Sequence, residues 1–242
     1  MRLENQPAQA LADDAWDLIL DVSLIKSRLK LTDRFNIFNP AMRVCESKLR
    51  LLQTAHELIW RQSYGSVGVD QICEHSNVKK GSFYHFFRSK SELTVAAYEY
   101  YWEQSRLKLD RIFSTSIAPL ERLEAYFDLI RHNQTQYFQT HGRVPGCPFA
   151  SLGSELSTQD EAIRQMAQQI SERKCRYLES TLRDAMDLGE IPRQDAKLLA
   201  QEVHFYIVGS IQEAKISNNV AVLERMKTGV YRIIGAKFAL VS

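Results

Sequence analysis

Glycine, proline and cysteine are all scarce in this 242-residue chain. There are 10 glycines and 6 prolines, and we find no alternating strand pattern of any length, so helices are the natural expectation. The four cysteines (Cys45, Cys73, Cys147 and Cys175) lie far apart, with no CxxC pair and no Cys/His ligand spacing. This spacing argues against a disulfide framework and a zinc site, and it favours a reducing cytoplasm. No cofactor is predicted.

Long apolar runs and an excess of one charge are also absent. No run approaches the roughly 18–20 apolar residues that a membrane span needs, so we expect no membrane partner. Four aspartates lie in the first 21 residues, which is unlike a secretory signal. The formal net charge is +2. This value argues against a protein coated in positive charge, but it allows a local basic patch that binds DNA.

Apolar periodicity predicts an all-α fold with three parts. Residues 1–44 form an N-terminal extension, either one amphipathic helix or a poorly ordered segment. Residues 45–97 are predicted to form a small helical domain, and residues 98–242 a helical bundle. The predicted helices span about 46–62, 69–76, 80–86, 90–113, 118–140, 159–188, 194–217 and 221–240.

The helix ends carry recognisable signals. Ser89 is expected to cap the helix that follows it, and Thr158–Glu161 has the pattern of a capping box. Gly189 stands where a C-terminal cap is expected, and Pro192 follows where the helix cannot continue. Residues 141–157 are predicted to be irregular.

The most informative stretch is Val69–Lys90, VDQICEHSNVKKGSFYHFFRSK. Two short helices joined by a tight turn are the layout of a helix-turn-helix, whose second helix enters the major groove of DNA. Residues 77–90 contain four basic residues and no acidic one, which suits contact with phosphates. We expect Phe83, Phe86 and Phe87 to hold the second helix in place. The alternative is a solvated helix end over a small core, and the spacing of the whole stretch argues against it.

The segment KKGSFYHFFRSKSEL, with VDQICEHSNV before it, resembles the DNA-binding signature of the TetR family over about residues 45–97. This resemblance implies a transcription regulator, commonly a repressor and not an enzyme, that binds double-stranded operator DNA as a homodimer. Two positions depart from the family pattern: Val67-Gly68 replaces the usual Thr-Ser, which removes a hydroxyl contact to phosphate, and Asn77 stands where glycine is common. The DNA contacts that the resemblance implies are Lys79, Lys80, Gly81, Ser82, Tyr84, His85 and Lys90.

The same resemblance places the homodimer interface on the last two helices, about 194–217 and 221–240. The alternative is that their apolar faces belong only to the core of one chain. The candidate interface residues are Leu198, Leu199, Val203, Tyr206, Ile207, Ser210, Ile211, Val230, Ile233, Ile234 and Phe238.

Cys147 is the second candidate site. It lies between Gly146 and Pro148, and proline is favoured at the first position of a helix. Cys147 would then be the N-cap of a short helix, where the helix dipole favours a reactive thiolate. The alternative, commoner for a free cysteine, is a small buried hydrophobic residue.

The segments HGRVPGCPFASLGSELS and QEAKIS (Gln212–Ser217) resemble the sensing domain of the N-ethylmaleimide-responsive (NemR-like) repressors of the TetR family. That resemblance implies that Cys147 is the sensor thiol and that Lys215 is the partner ammonium. A reactive electrophile or oxidant at Cys147 would release the operator. Pro148, directly after the cysteine, departs from the expected pattern. A TetR-type repressor induced by a non-covalently bound, small hydrophobic ligand is the alternative.

The remaining candidates have less specific signals. Cys73 and Cys175 are predicted to lie in the core, and His204 either lines a pocket or is a hydrogen-bonded core histidine. An enzyme with Cys147 as nucleophile would need a base; His141 and Glu155 lie in the same segment, without a catalytic signature. An architectural DNA-binding protein with no sensing role fits poorly with the large non-basic second domain.

Overall fold

A computed structural model of the protein describes residues 40–236, with side chains from residue 46 onward. This part contains helices and no strand, as predicted, and none of its helices is long and apolar enough to cross a membrane. The helices are α1 (Pro40–Arg61), α2 (Val69–Ser76), α3 (Lys80–Phe86), α4 (Lys90–Ile112), α5 (Pro119–His141), α6 (Pro148–Leu156), α7 (Glu161–Asp187), α8 (Ala196–Ile216), a 3₁₀ helix (Val220–Arg225) and α9 (Met226–Ile234).

Residues 141–157 contain α6, the short helix expected after Cys147. Two other predicted boundaries are wrong by several residues. Helix α1 begins at Pro40, six residues early, because proline is well tolerated in a first helical turn. The single helix predicted at 221–240 is instead a 3₁₀ helix followed by α9, which ends where Gly235 takes a left-handed conformation. Residues 1–39 of the predicted extension lie outside the described residues, and so do residues 237–242.

Most of the predicted caps are present. The Ser89 hydroxyl accepts a hydrogen bond from the Glu92 N–H (3.0 Å) and so caps α4. Gly189 has a φ of +73° directly after α7 and closes that helix. The capping-box prediction is wrong in register, because Asp160 and not Thr158 is the N-cap of α7.

One hydrophobic core extends through both parts of the described chain. In the N-terminal head, α1 packs on α4 and on the α2–α3 pair; Ile72 and Phe83 are fully buried there. In the bundle, α7 packs against α4, α5, α6 and α8 around Leu123, Ile163 and Leu182. Helix α4 packs in both parts, so the head and the bundle are joined by one continuous helix.

The faces proposed for dimerisation belong largely to the core of one chain. The predicted interface residues Leu199, Val203 and Ile207 are buried against the rest of the chain. Apolar side chains of α8 also face outward: the predicted interface residue Leu198 is 55% exposed, and Phe205, which was not among the predicted residues, is 65% exposed.

Candidate nucleic-acid interface and sensor site

The helix-turn-helix forms at the predicted residues. Helices α2 and α3 are joined by Asn77, whose φ of 51° and ψ of 46° lie in the left-handed region. The Asn77 N–H donates to the Glu74 carbonyl (3.1 Å) and closes the turn. Asparagine is among the few non-glycine residues that tolerate this conformation, so the turn survives the loss of the usual glycine.

Aromatic side chains fix the orientation of α3. Phe83 is completely buried, Phe87 is buried, and Phe86 is half-buried against the same core. The three residues therefore have the predicted role. A helix of only seven residues has little stability of its own, so this packing determines the direction in which its remaining side chains point.

The opposite side of α3 is open. Lys79, Tyr84 and His85 are exposed, and Ser82 is half-buried. A β-carbon added to Gly81 would meet no protein atom within 4 Å. Packing inside this chain therefore does not require glycine at position 81, and the open face has room for an external partner.

Two of the predicted DNA contacts have partners inside the protein. Lys80 Nζ lies 2.6 Å from an Asp70 carboxylate oxygen, although both side chains are largely exposed. Lys90 Nζ donates to the carbonyl oxygens of Tyr64 and Val67, both at 2.9 Å, and it lies 3.8 Å from the centre of the Tyr64 ring. Lys90 thus holds the loop before α2, and its contact with a phosphate stays a prediction.

Cys147 occupies the predicted N-cap position of α6. Cys147 is 7% exposed, and Pro148 is the first residue of the helix. The preceding Gly146 has a φ of +79°, and a β-carbon there would lie only 2.6 Å from a methylene of Lys215. Glycine is therefore required immediately before the cysteine.

The ammonium nearest to Cys147 is that of Lys174. Lys174 Nζ lies 3.8 Å from Cys147 Sγ and 4.7 Å from the centre of the Phe149 ring. Burial opposes the charge of this lysine, but interactions with Cys147, Tyr126 and Tyr101 more than offset it. As a result, the pKa of Lys174 lies above its ordinary value.

Lys215, the ammonium that the resemblance implies as the partner of Cys147, lies against Gly146, and its role stays a prediction. Its Nζ donates to Ser151 Oγ (3.0 Å), and burial lowers its pKa although Cys147 and Glu155 act in the opposite direction. Cys147 therefore interacts electrostatically with both Lys174 and Lys215. The sequence offered no signal for Lys174, because the contact joins positions 27 residues apart on two different helices.

Helix α6 also contacts the DNA-binding head at both of its ends. Beside its N-terminus, the Trp60 indole N–H donates to the Gly146 carbonyl (3.3 Å). Near its C-terminus, the two carboxylate oxygens of Glu155 accept the backbone N–H groups of Tyr64 (3.1 Å) and Gly65 (2.9 Å). The helix that begins at the cysteine is therefore bonded to the loop that leads into the helix-turn-helix.

An aromatic stack provides a second connection between the two parts. The His56 ring of α1 stacks on Tyr101 of α4, with centroids 3.9 Å apart and planes at 18°. Tyr101 in turn packs against Phe149 of α6 (5.8 Å). Burial lowers the pKa of His56 to about 3, so the histidine is neutral in this stack at pH 7.

The other predicted residues have structural roles. His204 is a core histidine with Nε2 3.0 Å from Ser171 Oγ, and burial, together with the charge of Lys174, lowers its pKa to about 4. Cys73 is buried, as predicted. Cys175 is half-buried and not in the core, so that prediction is wrong.

The chain matches known families over both of its parts. Residues 51–97 match bacterial regulatory proteins of the tetR family, and residues 119–230 match the tetracyclin repressor-like C-terminal domain. The transcriptional regulator AcuR of Cereibacter sphaeroides is 31% identical over 168 residues, 69% of this chain and 75% of AcuR. The transcriptional repressor NemR of Escherichia coli is 26% identical over 196 residues, 78% of this chain and 94% of NemR.

Solved structures agree with these matches. The crystal structure of reduced E. coli NemR has a TM-score of 0.69 at 25% identity, and the match covers 79% of this chain and 98% of NemR. A TetR regulatory protein from Rhodobacter sphaeroides has a TM-score of 0.68 at 29% identity, covering 76% and 97%. These relatives are transcription regulators, not enzymes. The chain belongs to the TetR family of bacterial transcription regulators, and it resembles NemR.

Proposed function

We propose that this protein is a repressor that leaves its operator when a reactive electrophile or an oxidant modifies Cys147. The observation that carries the proposal is the position of Cys147. Its sulfur lies 3.8 Å from the Lys174 ammonium, at the start of the helix that contacts the DNA-binding head. Nearby ammonium groups and helix N-termini are the features that favour a thiolate, which is the nucleophilic form of cysteine.

The chemistry is conjugate addition for an α,β-unsaturated carbonyl compound such as N-ethylmaleimide. A sulfur lone pair of the Cys147 thiolate forms the new S–C bond, and the electron pair of the C=C bond moves to give an enolate. The Lys174 ammonium lies beside the sulfur and supplies the proton that the enolate takes up; the neutral amine then regains a proton from water. Because Cys147 is only 7% exposed, small reagents are favoured over bulky ones.

The signal reaches the DNA-binding head through α6. An adduct on the sulfur enlarges a buried residue, and a packed interior responds by moving its neighbours. The nearest neighbours include Gly146, whose carbonyl accepts from Trp60, and the opposite end of the same helix carries Glu155. A displacement of α6 therefore acts directly on the loop before α2.

The DNA-binding side of the proposal uses the open face of α3. Lys79, Tyr84 and His85 supply a charge and polar groups for phosphates and base edges, and Gly81 leaves room for close approach. Ser82 and Lys80 lie on the same helix, and the Lys80 ammonium forms an ion pair with Asp70.

In a homodimer two such helices would reach successive major grooves. The exposed Leu198 and Phe205 of α8 are the side chains that we expect a second copy to cover.

The test is operator binding before and after treatment with N-ethylmaleimide, for the wild-type protein, Cys147→Ser and Cys175→Ser. We expect treatment to release the operator from the wild type and from Cys175→Ser. The latter lacks the more accessible of the two thiols, that of Cys175, and keeps the thiol of Cys147. Cys147→Ser should bind the operator normally and keep it after treatment. Release of Cys147→Ser by the same reagent would reject the proposal and would favour a sensor that acts without this thiol.

A further inference from the structure

A cavity of about 230 Å³ lies where the DNA-binding head meets the sensing domain. One wall is the end of α1, another is the outer side of α6, and α8 closes the third side. This volume is below the roughly 300–1,000 Å³ of sites for drug-sized ligands, so it suits a small metabolite. The residues that matter for its chemistry are Trp60, Arg61, Tyr98, Ser151, Leu152 and Lys215.

Two polar groups of the cavity, the Lys215 ammonium and the Ser151 hydroxyl, have hydrogens to donate. Lys215 Nζ uses one of its three N–H groups on Ser151 Oγ (3.0 Å). Within residues 46–236, no carboxylate oxygen lies within 4 Å of Lys215 Nζ, and the Ser151 hydroxyl hydrogen has no acceptor. The Lys215 ammonium and the Ser151 hydroxyl lie side by side, and each has a hydrogen left to donate. Two such neighbouring donors match the two acceptor oxygens of a carboxylate.

The charged residues of the cavity lining also favour a ligand with a carboxylate. Two cations, Arg61 and Lys215, line the cavity with one anion, Glu155, but the Arg61 guanidinium is paired with Glu57 at 3.0 Å. The carboxylate of Glu155 is already used, because its oxygens accept from Tyr64 and Gly65. Lys215 is therefore the cation of the lining that is available to a ligand, and a cation in a partly enclosed space favours an anion.

Apolar and aromatic side chains form part of the remaining lining. Trp60 and Ile59 lie on the head side, Tyr98 on the connector and Leu152 on α6, and the polar Gln62, Ser63, Ser154 and Gln212 also line the cavity. We propose that this cavity binds a small monocarboxylic acid with an apolar or aromatic body, the carboxylate on Lys215 and Ser151 and the body on Trp60. Such a ligand would contact the head and the sensing domain at once. This site goes beyond the proposed thiol chemistry and does not depend on it.

The test is calorimetric titration of the full chain with phenylacetate, and with phenylacetamide as the uncharged isostere. We expect the wild type to bind phenylacetate at least 10-fold more tightly than phenylacetamide. Lys215→Met should lower the affinity for phenylacetate at least 10-fold, and Ser151→Ala should lower it by a smaller factor. Lys197→Met makes the same change at an exposed position of the same helix and should bind like the wild type.

Three results would overturn this inference: no binding of phenylacetate to the wild type at millimolar concentration, equal affinity for the two isosteres, or wild-type affinity in both Lys215→Met and Ser151→Ala. Because both Lys215→Met and Ser151→Ala are measured, a folding defect in one of them does not decide the result. Cys147→Ser separates this site from thiol sensing. It should bind phenylacetate normally whatever its response to N-ethylmaleimide.

Discussion

The DNA-binding head and the sensor site are built in opposite ways. The helix-turn-helix lies within 22 consecutive residues, and its turn, its aromatic anchors and its open face all follow from local sequence. The sensor site joins Cys147 to Lys174 from another helix and to Trp60 from the head. A local motif is therefore enough to place a DNA-reading helix, whereas the environment of Cys147 depends on how distant helices pack. The following predictions test that difference.

The largest effect is expected from removing the anchor of α3. Phe83→Ala should lower the free energy of unfolding by about 3–5 kcal/mol, because the side chain is completely buried and its loss leaves a cavity. The matched control is Phe205→Ala, which truncates a phenylalanine that is 65% exposed in a single chain. Denaturant unfolding at a protein concentration that keeps the chain monomeric measures both. An equal loss in the two variants would contradict the assigned packing of α3.

Acid should destabilise both parts of the molecule, because one buried histidine lies in the head and another in the bundle. Burial lowers the pKa of His56 to about 3 and that of His204 to about 4, so the unfolded chain, with a histidine pKa of about 6.5, takes up these protons first. Stability is then complete above pH 6.5 and decreases as the pH falls towards the folded-state values.

Between pH 7 and 5.5 the expected loss is about 1 kcal/mol for each buried histidine. Urea unfolding at the two pH values should show a smaller decrease for His56→Phe than for the wild type. The exposed His85 provides the control, because His85→Asn should leave the decrease unchanged. A pH dependence that is identical in all three proteins would show that His56 is not neutral and buried.

Removing the ammonium beside the thiol should slow its chemistry. Lys174→Met should lower the rate of N-ethylmaleimide addition at Cys147 about 10-fold at pH 7, because the thiolate loses its nearest positive charge. Mass spectrometry of each cysteine over time measures the rate. The matched control is Lys197→Met, at an exposed position of α8, and an unchanged Cys147 rate in Lys174→Met would remove Lys174 from the account.

The smallest effect concerns the two kinds of lysine in the helix-turn-helix. Lys79→Met should weaken operator binding a few-fold and reduce the salt dependence of binding by about one phosphate contact. Lys90→Met should leave that slope unchanged and lower the stability of the head, because two carbonyl groups lose their donor. Operator titrations across a salt series, with thermal unfolding alongside, separate the two effects. A reduced slope for Lys90→Met would restore Lys90 as a phosphate contact.

Much of the fold could be predicted because helices carry local signals. The helix-turn-helix bounds, the Ser89 cap and the left-handed Asn77 turn depend on residues within a few positions of one another. The last helix was predicted too long because the pattern of apolar residues continues past Gly235, where the left-handed conformation ends α9.

The partners of charged side chains could not be predicted in the same way. Lys174 was missed as the partner of Cys147, and Lys90 was assigned to DNA although its ammonium binds two backbone carbonyls. In both cases the partner comes from a segment more than 20 residues away. Residue type and local spacing show that a charge is present, but only tertiary packing decides what it contacts.

The most direct test of the account is the coupling between Cys147 and the operator through Glu155. Operator affinity is measured with unmodified and fully modified protein for the wild type, Glu155→Ala and the control Ser154→Ala, with modification followed by mass spectrometry. We expect all three to be modified at Cys147 at similar rates. The loss of affinity on modification should be at least 5-fold smaller in Glu155→Ala than in the other two. An undiminished loss in Glu155→Ala would contradict transmission through α6.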